Sequence, residues 1–175
     1  FEEMQRRGLQ PNVITWSAAI SACAKGAQWE RALGMFEEMQ RRGLQPDVIT
    51  WSAAISACEK GAQWERALEL FEEMQRRGLQ PNVITWSAAI SACAKGAQWE
   101  RALGMFEEMQ RRGLQPDVIT WSAAISACEK GAQWERALEL FEEMQRRGLQ
   151  PNVITWNAAI SACEKGAQWE RALEL

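Results

Sequence analysis

Val13–Asp47 reads VITWSAAISACAKGAQWERALGMFEEMQRRGLQPD, and the thirty-five residues after it, Val48–Asn82, repeat it with four changes. These are Ala24/Glu59, Gly34/Glu69, Met35/Leu70 and Asp47/Asn82. Val83–Asp117 copies the first unit without change, and Val118–Asn152 copies the second, so the strict repeat spans two units. A period of this size means that each unit buries its apolar face on its neighbours, and the core runs along the chain. The junction QPDVITWS or QPNVITWS hands one unit over to the next, and it holds most of the variation that could carry information.

Within a unit the spacing predicts two helices. The first, helix A, runs from about Val13 to Ala24. Pro11 blocks the chain before it and Asn12 is its expected N-cap. Steps of about 100° sort Val13, Trp16, Ala19, Ile20 and Cys23 onto an apolar face. Ile14, Ser17, Ala18, Ser21 and Lys25 fall on the opposite one, a small and polar face suited to lining a surface. Lys25-Gly26 is the expected turn.

The second, helix B, runs from about Gln28 to Arg42, with an apolar stripe of Trp29, Ala32, Leu33, Phe36 and Met39. Glu37–Arg41 and Glu38–Arg42 are expected ion pairs on its charged side. Gly43 caps it, Leu44 packs back and Pro46 ends the unit. Helix, turn, helix, connection, repeat: this is an all-α solenoid, with helices A along one side and helices B along the other.

Composition limits the chemistry. The net charge is −3 and the pI about 5.3, not the basic balance of a protein held to nucleic acid mainly through phosphates. The five cysteines come one per unit. Packed helices stand about 8–10 Å apart while a disulfide needs Cα atoms within about 7 Å, so equivalent cysteines are expected not to pair. Each reads as a small buried apolar residue, which fits a reducing compartment. The ten tryptophans read as packing, because both types lie on apolar faces.

With no histidine and no CxxC there is no zinc signature, and no nucleophile–base pair marks an enzyme. No cofactor is expected. No apolar run is long enough to span a membrane, and none of these residues carries the pattern of a signal peptide. The chain starts at Phe1 and stops at Leu175, each in mid-unit, and Leu175 followed by Phe1 restores the register of Leu70-Phe71. A slice of a longer array is expected from this. Its uncapped ends could associate end to end.

The period, the P-[DN]-V-I-T-W-S junction and the stretch ALELFEEM…G resemble the pentatricopeptide repeat family. The resemblance covers one domain over residues 1–175: a partial repeat 1–12, full repeats 13–47, 48–82, 83–117 and 118–152, and a truncated repeat 153–175. It implies a right-handed superhelix of antiparallel helix-turn-helix repeats. It also implies single-stranded RNA as the partner, read at one base per repeat. The implied readers are Ser17 with Asp47, Ser52 with Asn82, Ser87 with Asp117, Ser122 with Asn152, and Asn157, whose partner lies beyond the chain. Ile14, Ile49, Ile84, Ile119 and Ile154 match the family's stacking residue, and Lys25, Lys60, Lys95, Lys130 and Lys165 its phosphate contact. Trp16 and its copies depart from the family's usual tyrosine, so altered packing is expected there.

The chemistry is consistent. Aspartate only accepts, and guanine offers adjacent donors at N1 and N2. Asparagine both donates and accepts, as adenine requires. By the family's rule the target is 5′-GAGAY-3′. Mitochondrion or chloroplast is the implied location.

Two alternatives stay open. Asp and Asn before a helix are interchangeable N-caps and need read nothing. The acidic pI and near-perfect copies also suit a structural or protein-interaction solenoid, natural or designed, with no nucleic-acid specificity. Glu59, Glu129 and Glu164 stand beside Lys60, Lys130 and Lys165 and are expected to offset their charge.

Overall fold

The computed structural model describes residues 1–175. It contains eleven α-helices and no strand. After the short α1 (Glu2–Arg6) come α2 (Val13–Lys25), α3 (Trp29–Arg41), α4 (Val48–Lys60), α5 (Trp64–Arg76) and α6 (Val83–Lys95). They are followed by α7 (Trp99–Arg111), α8 (Val118–Lys130), α9 (Trp134–Arg146), α10 (Val153–Lys165) and α11 (Trp169–Glu174). Even numbers are helices A and odd numbers helices B, each within a residue or so of its expected limits. No helix is long and apolar enough to cross a membrane. The chain forms two compact units, Phe1–Ala88 and Ala89–Leu175, with the boundary inside α6.

Local chemistry sets the helix ends. The side chains of Asn12, Asp47, Asp117 and Asn152 each accept the backbone N–H three residues on, as N-caps do. Helix B closes on Gly43 at φ +77°, with Leu44 N–H returning to the Met39 carbonyl at 3.2 Å and Gly43 N–H to Gln40 at 2.9 Å. Helix A closes the same way: Gln28 N–H reaches the Cys23 carbonyl at 2.9 Å. Here, however, the left-handed residue is Ala27, at φ +55°, and not the neighbouring glycine. The next repeat explains the order. Gly61 has an ordinary φ of −79° and lies against Trp29 of the preceding repeat, where a Cβ would overlap the indole ring.

In the first unit α4 packs on α2, α3 and α5; in the second, α8 packs on α7, α9 and α10. Helix A is therefore covered around most of its circumference, and the expected division into a core face and an open face is too simple. Thr50, Trp51, Ser52, Ala54, Ile55, Ala57 and Cys58 of α4 are all buried. The alanines and serines of the supposed open face let neighbouring helices A approach, since interaxial distance follows the side chains at the contact.

Trp51 is the hub of this packing. Phe36 of the preceding helix B meets it edge-on at 4.7 Å between centroids, and the Arg77 guanidinium lies 5.2 Å over its ring. Phe106, Trp121 and Arg147 repeat the stack in the second unit. The buried indole N–H groups of Trp16, Trp51 and Trp121 have no hydrogen-bond partner. Cys58, Cys93 and Cys128 are fully buried free thiols, and burial pushes each up to about 11.

Helices B carry the ionic exterior. Arg42 pairs with Glu38 at 2.8 Å, as expected. Glu37 does not take Arg41; it meets Arg66 of the next repeat at 3.2 Å, and Arg41 turns to Glu38. The inter-repeat contact wins because Arg66 is already held beside it by Glu69, at 2.9 Å.

Candidate nucleic-acid interface

The helices A from α2 to α8 each carry two isoleucines with opposite fates. Ile20, Ile55 and Ile125 are 0 % exposed, whereas Ile14 is 76 % exposed and Ile49, Ile84, Ile119 and Ile154 are 63–64 % exposed. A branched apolar side chain left open at the same place in every repeat is a feature that packing does not explain. Eleven residues further on stands the lysine. Eleven steps of about 100° return to the same side of the helix, about 16 Å along its axis. Lys25, Lys60, Lys95, Lys130 and Lys165 are all exposed.

The cap sits at the isoleucine end of this stripe. Asn82 Oδ1 accepts both the Thr85 N–H, at 3.0 Å, and the Thr85 hydroxyl, at 2.9 Å. Two donors on one atom fix the amide with Oδ1 turned to the helix and Nδ2 away from it. Asp47 Oδ1 likewise takes the Thr50 N–H at 2.9 Å and its hydroxyl at 2.6 Å, leaving Oδ2 as the outer atom. Partial burial pushes the Asp47 carboxyl up, but the bonds from Thr50 and Ser17 outweigh it and hold the group below the usual carboxylate range. Capping alone thus uses one atom of each side chain. The second atom is an acceptor in Asp47 and a donor in Asn82.

The serines are not where the sequence places them. Ser17, Ser52, Ser87 and Ser122 are buried, at 5–7 % exposure, and not displayed on an open face. The cause is the threonine of the following repeat, which sequence reasoning passed over. Ser52 Oγ lies 2.6 Å from Thr85 Oγ1 and donates to the Val48 carbonyl at 2.7 Å. Ser122 meets Thr155 at 2.6 Å, and Ser17 meets Thr50. The predicted pairs are brought together through this hydroxyl: Ser17 Oγ is 3.4 Å from Asp47 Oδ1, and Thr155 Oγ1 is 2.9 Å from Asn152 Oδ1. Asp117 makes the same cap, with Thr120 N–H at 2.9 Å, and Asn157 stands exposed on α10. The signal for the threonine was its place at the third helical residue of every unit, where a hydroxyl reaches back to the cap.

The lysines reach backwards. Lys60 Nζ donates to the Ala24 carbonyl at 3.0 Å and Lys130 Nζ to Ala94 at 2.9 Å. Each cation thereby sits at the negative end of the preceding helix A. Lys165 takes the Glu129 carbonyl at 3.2 Å and pairs with the Glu129 carboxylate as well. That differs from the expected offset of Lys130 by its neighbour Glu129: the glutamate serves the next repeat's lysine, because side chains one apart on a helix point in different directions.

Caps, threonine relay, open isoleucine and lysine recur in register, which defines a tandem helical-hairpin repeat protein whose caps at the repeat junctions alternate between aspartate and asparagine. The chain belongs to the pentatricopeptide repeat family. Its pentatricopeptide repeat domain matches residues 1–60, 34–96 and 104–165, and its PPR repeat matches residues 84–114. Among solved structures the chain resembles PPR10 in complex with an 18-nucleotide psaJ RNA element, with 27% identity over 95% of this chain and a TM-score of 0.74. PPR10 from maize is 29% identical over 99% of this chain, with a TM-score of 0.65. The chain spans about a quarter of PPR10, 24% and 25% in the two cases. The PPR domain of Arabidopsis thaliana protein-only RNase P 1, in complex with tRNA, shares the fold at 17% identity and a TM-score of 0.75, over 90% of this chain and 83% of that one. No curated protein matched the chain.

Proposed function

We propose that residues 1–175 act as one array that binds single-stranded RNA in a sequence-specific manner, one base per repeat, with 5′-GAGAY-3′ as target. The observation that carries this reading is the outward atom of the caps, which alternates between carboxylate oxygen and amide nitrogen beside an open isoleucine. The exposed isoleucines wedge between bases and the lysines meet phosphates. The outer oxygen of Asp47 or Asp117 accepts from guanine N1–H and N2–H. The outer amide of Asn82 or Asn152 donates to adenine N1. Serine sets the depth of the base and holds the threonine hydroxyl. PPR10, which a longer chain builds on similar repeats, was solved with RNA, and this supports the reading.

The test is a comparison of 5′-GAGAC-3′ with a pyrimidine-only pentamer by gel shift or fluorescence anisotropy at low salt. Preferential binding of the first is expected. Equal binding, or none, would sink the reading. Asn82→Asp should move the second base from adenine towards guanine by about tenfold, the worth of one hydrogen bond of ~1.4 kcal/mol. An unchanged preference would leave the caps as caps only.

A second reading is that the 175-residue polypeptide associates with itself end to end. It is favoured by the apolar surface of the last repeat. Val153 is 74 % exposed, Trp169 67 % and Leu173 81 %, while Leu68 and Leu138, the equivalents of Leu173 in the earlier repeats that share its RALEL sequence, are buried.

A further inference from the structure

The lysine row is uneven, and the unevenness does not come from the lysines. Lys60 and Lys130 follow repeats that end helix A in Ala24 and Ala94, so each ammonium finds only a backbone carbonyl there. Lys165 follows a repeat that ends helix A in Glu129, and it finds the same carbonyl together with a carboxylate. The Glu129 side chain is only 17 % exposed, whereas that of Lys165 is 43 % exposed. The carboxylate is thus tucked behind the cation and is held on it. A lysine–glutamate pair presents almost no net charge to an approaching phosphate, and the phosphate must compete with an oxyanion already in place.

We propose that Glu129 stands in for a phosphate at Lys165 and weakens the grip on the RNA backbone there. Resting on the RNA-binding reading above, the proposal makes the residue that closes helix A a determinant of affinity separate from the base-reading caps. Residue identity at this place alternates between alanine and glutamate, as Ala24, Glu59, Ala94 and Glu129. The chain therefore carries its own control: the alanine repeats are natural versions of the glutamate-free state.

The experiment uses the 175-residue chain and the RNA 5′-GAGAC-3′, with affinities measured across salt from about 0.05 to 0.3 M. Glu129→Ala and the isosteric Glu129→Gln should each free one cation. For single strands each phosphate neutralised contributes about −0.7 to the slope of log affinity against log salt. The variants should therefore steepen the slope by about 0.7 and tighten binding about fivefold at 0.1 M salt. The reciprocal Ala94→Glu, which places a carboxylate behind Lys130, should flatten the slope and weaken binding by a similar factor. The preference for GAGAC over pyrimidines should not change in any of the three. If the parent chain binds GAGAC and the variants leave slope and affinity unaltered, the proposal is wrong and the RNA reading stands. If none of the four chains distinguishes GAGAC from pyrimidines, the RNA reading falls and the proposal with it.

Discussion

Gly61 and Ala62 exchange the roles that their side chains suggest. Glycine is the residue suited to a left-handed helix end, yet Ala62 holds φ +55° and Gly61 does not need its freedom. Gly61 is required for space, because the indole of Trp29 lies where its Cβ would be. Ala62 is exposed and gives up nothing by losing a methyl. Gly61→Ala should therefore destabilise the chain by about 2 kcal/mol through overpacking. Ala62→Gly should stabilise it by about 0.5–1 kcal/mol by relieving the left-handed alanine. Urea unfolding of the two variants checks the pair; a neutral Gly61→Ala would mean that Trp29 moves aside freely. The dipeptide is legible in the sequence as a turn. Its internal order is not, because the deciding side chain belongs to another repeat.

At the scale of the helix, the caps, the closing glycines and the Phe–Trp stripe were all readable, since each depends on spacing within one turn or two. Asn12, Asp47, Gly43 and Trp16 stand where the spacing puts them. The open face of helix A was not readable, because small polar residues suit a solvent face and a close helix contact equally. Helix B carries a difference that can be tested. Gly34 and Gly104 sit in mid-helix with nothing within 4 Å of where a Cβ would stand. Their counterparts Glu69 and Glu139 pair with Arg66 and Arg136 at 2.9 Å. Gly34→Ala and Gly104→Ala should each raise stability by about 0.5–1 kcal/mol, from backbone entropy and helix propensity alone. Thermal melts of the single and double variants measure this, and additivity is expected because the two sites lie in separate units.

For the whole chain, a repeat array gains stability from each neighbour and leaves its outermost faces to solvent. Ile160 is 38 % exposed where Ile55 and Ile125 are 0 %, and Leu173 is 81 % exposed. Head-to-tail contact that does not close a ring grows with concentration. Light scattering of the 175-residue polypeptide should show its mean mass rising with concentration, and Leu173→Glu should suppress the rise. A strict monomer at high concentration would remove the end-to-end reading and leave RNA binding untouched.

By itself the sequence determined the thirty-five-residue period, the all-α hairpins, their caps, the burial of Trp16, Trp51, Trp86 and Trp121 and the class of surface that isoleucine and lysine make. All of these follow from spacing within a helix. Only the tertiary structure decided that the serines lie under the next repeat's threonines, 33 residues on, and that Glu129 meets Lys165, 36 residues on, and not its neighbour. The register between adjacent helices comes from how their side chains pack together. No spacing within a single helix specifies it.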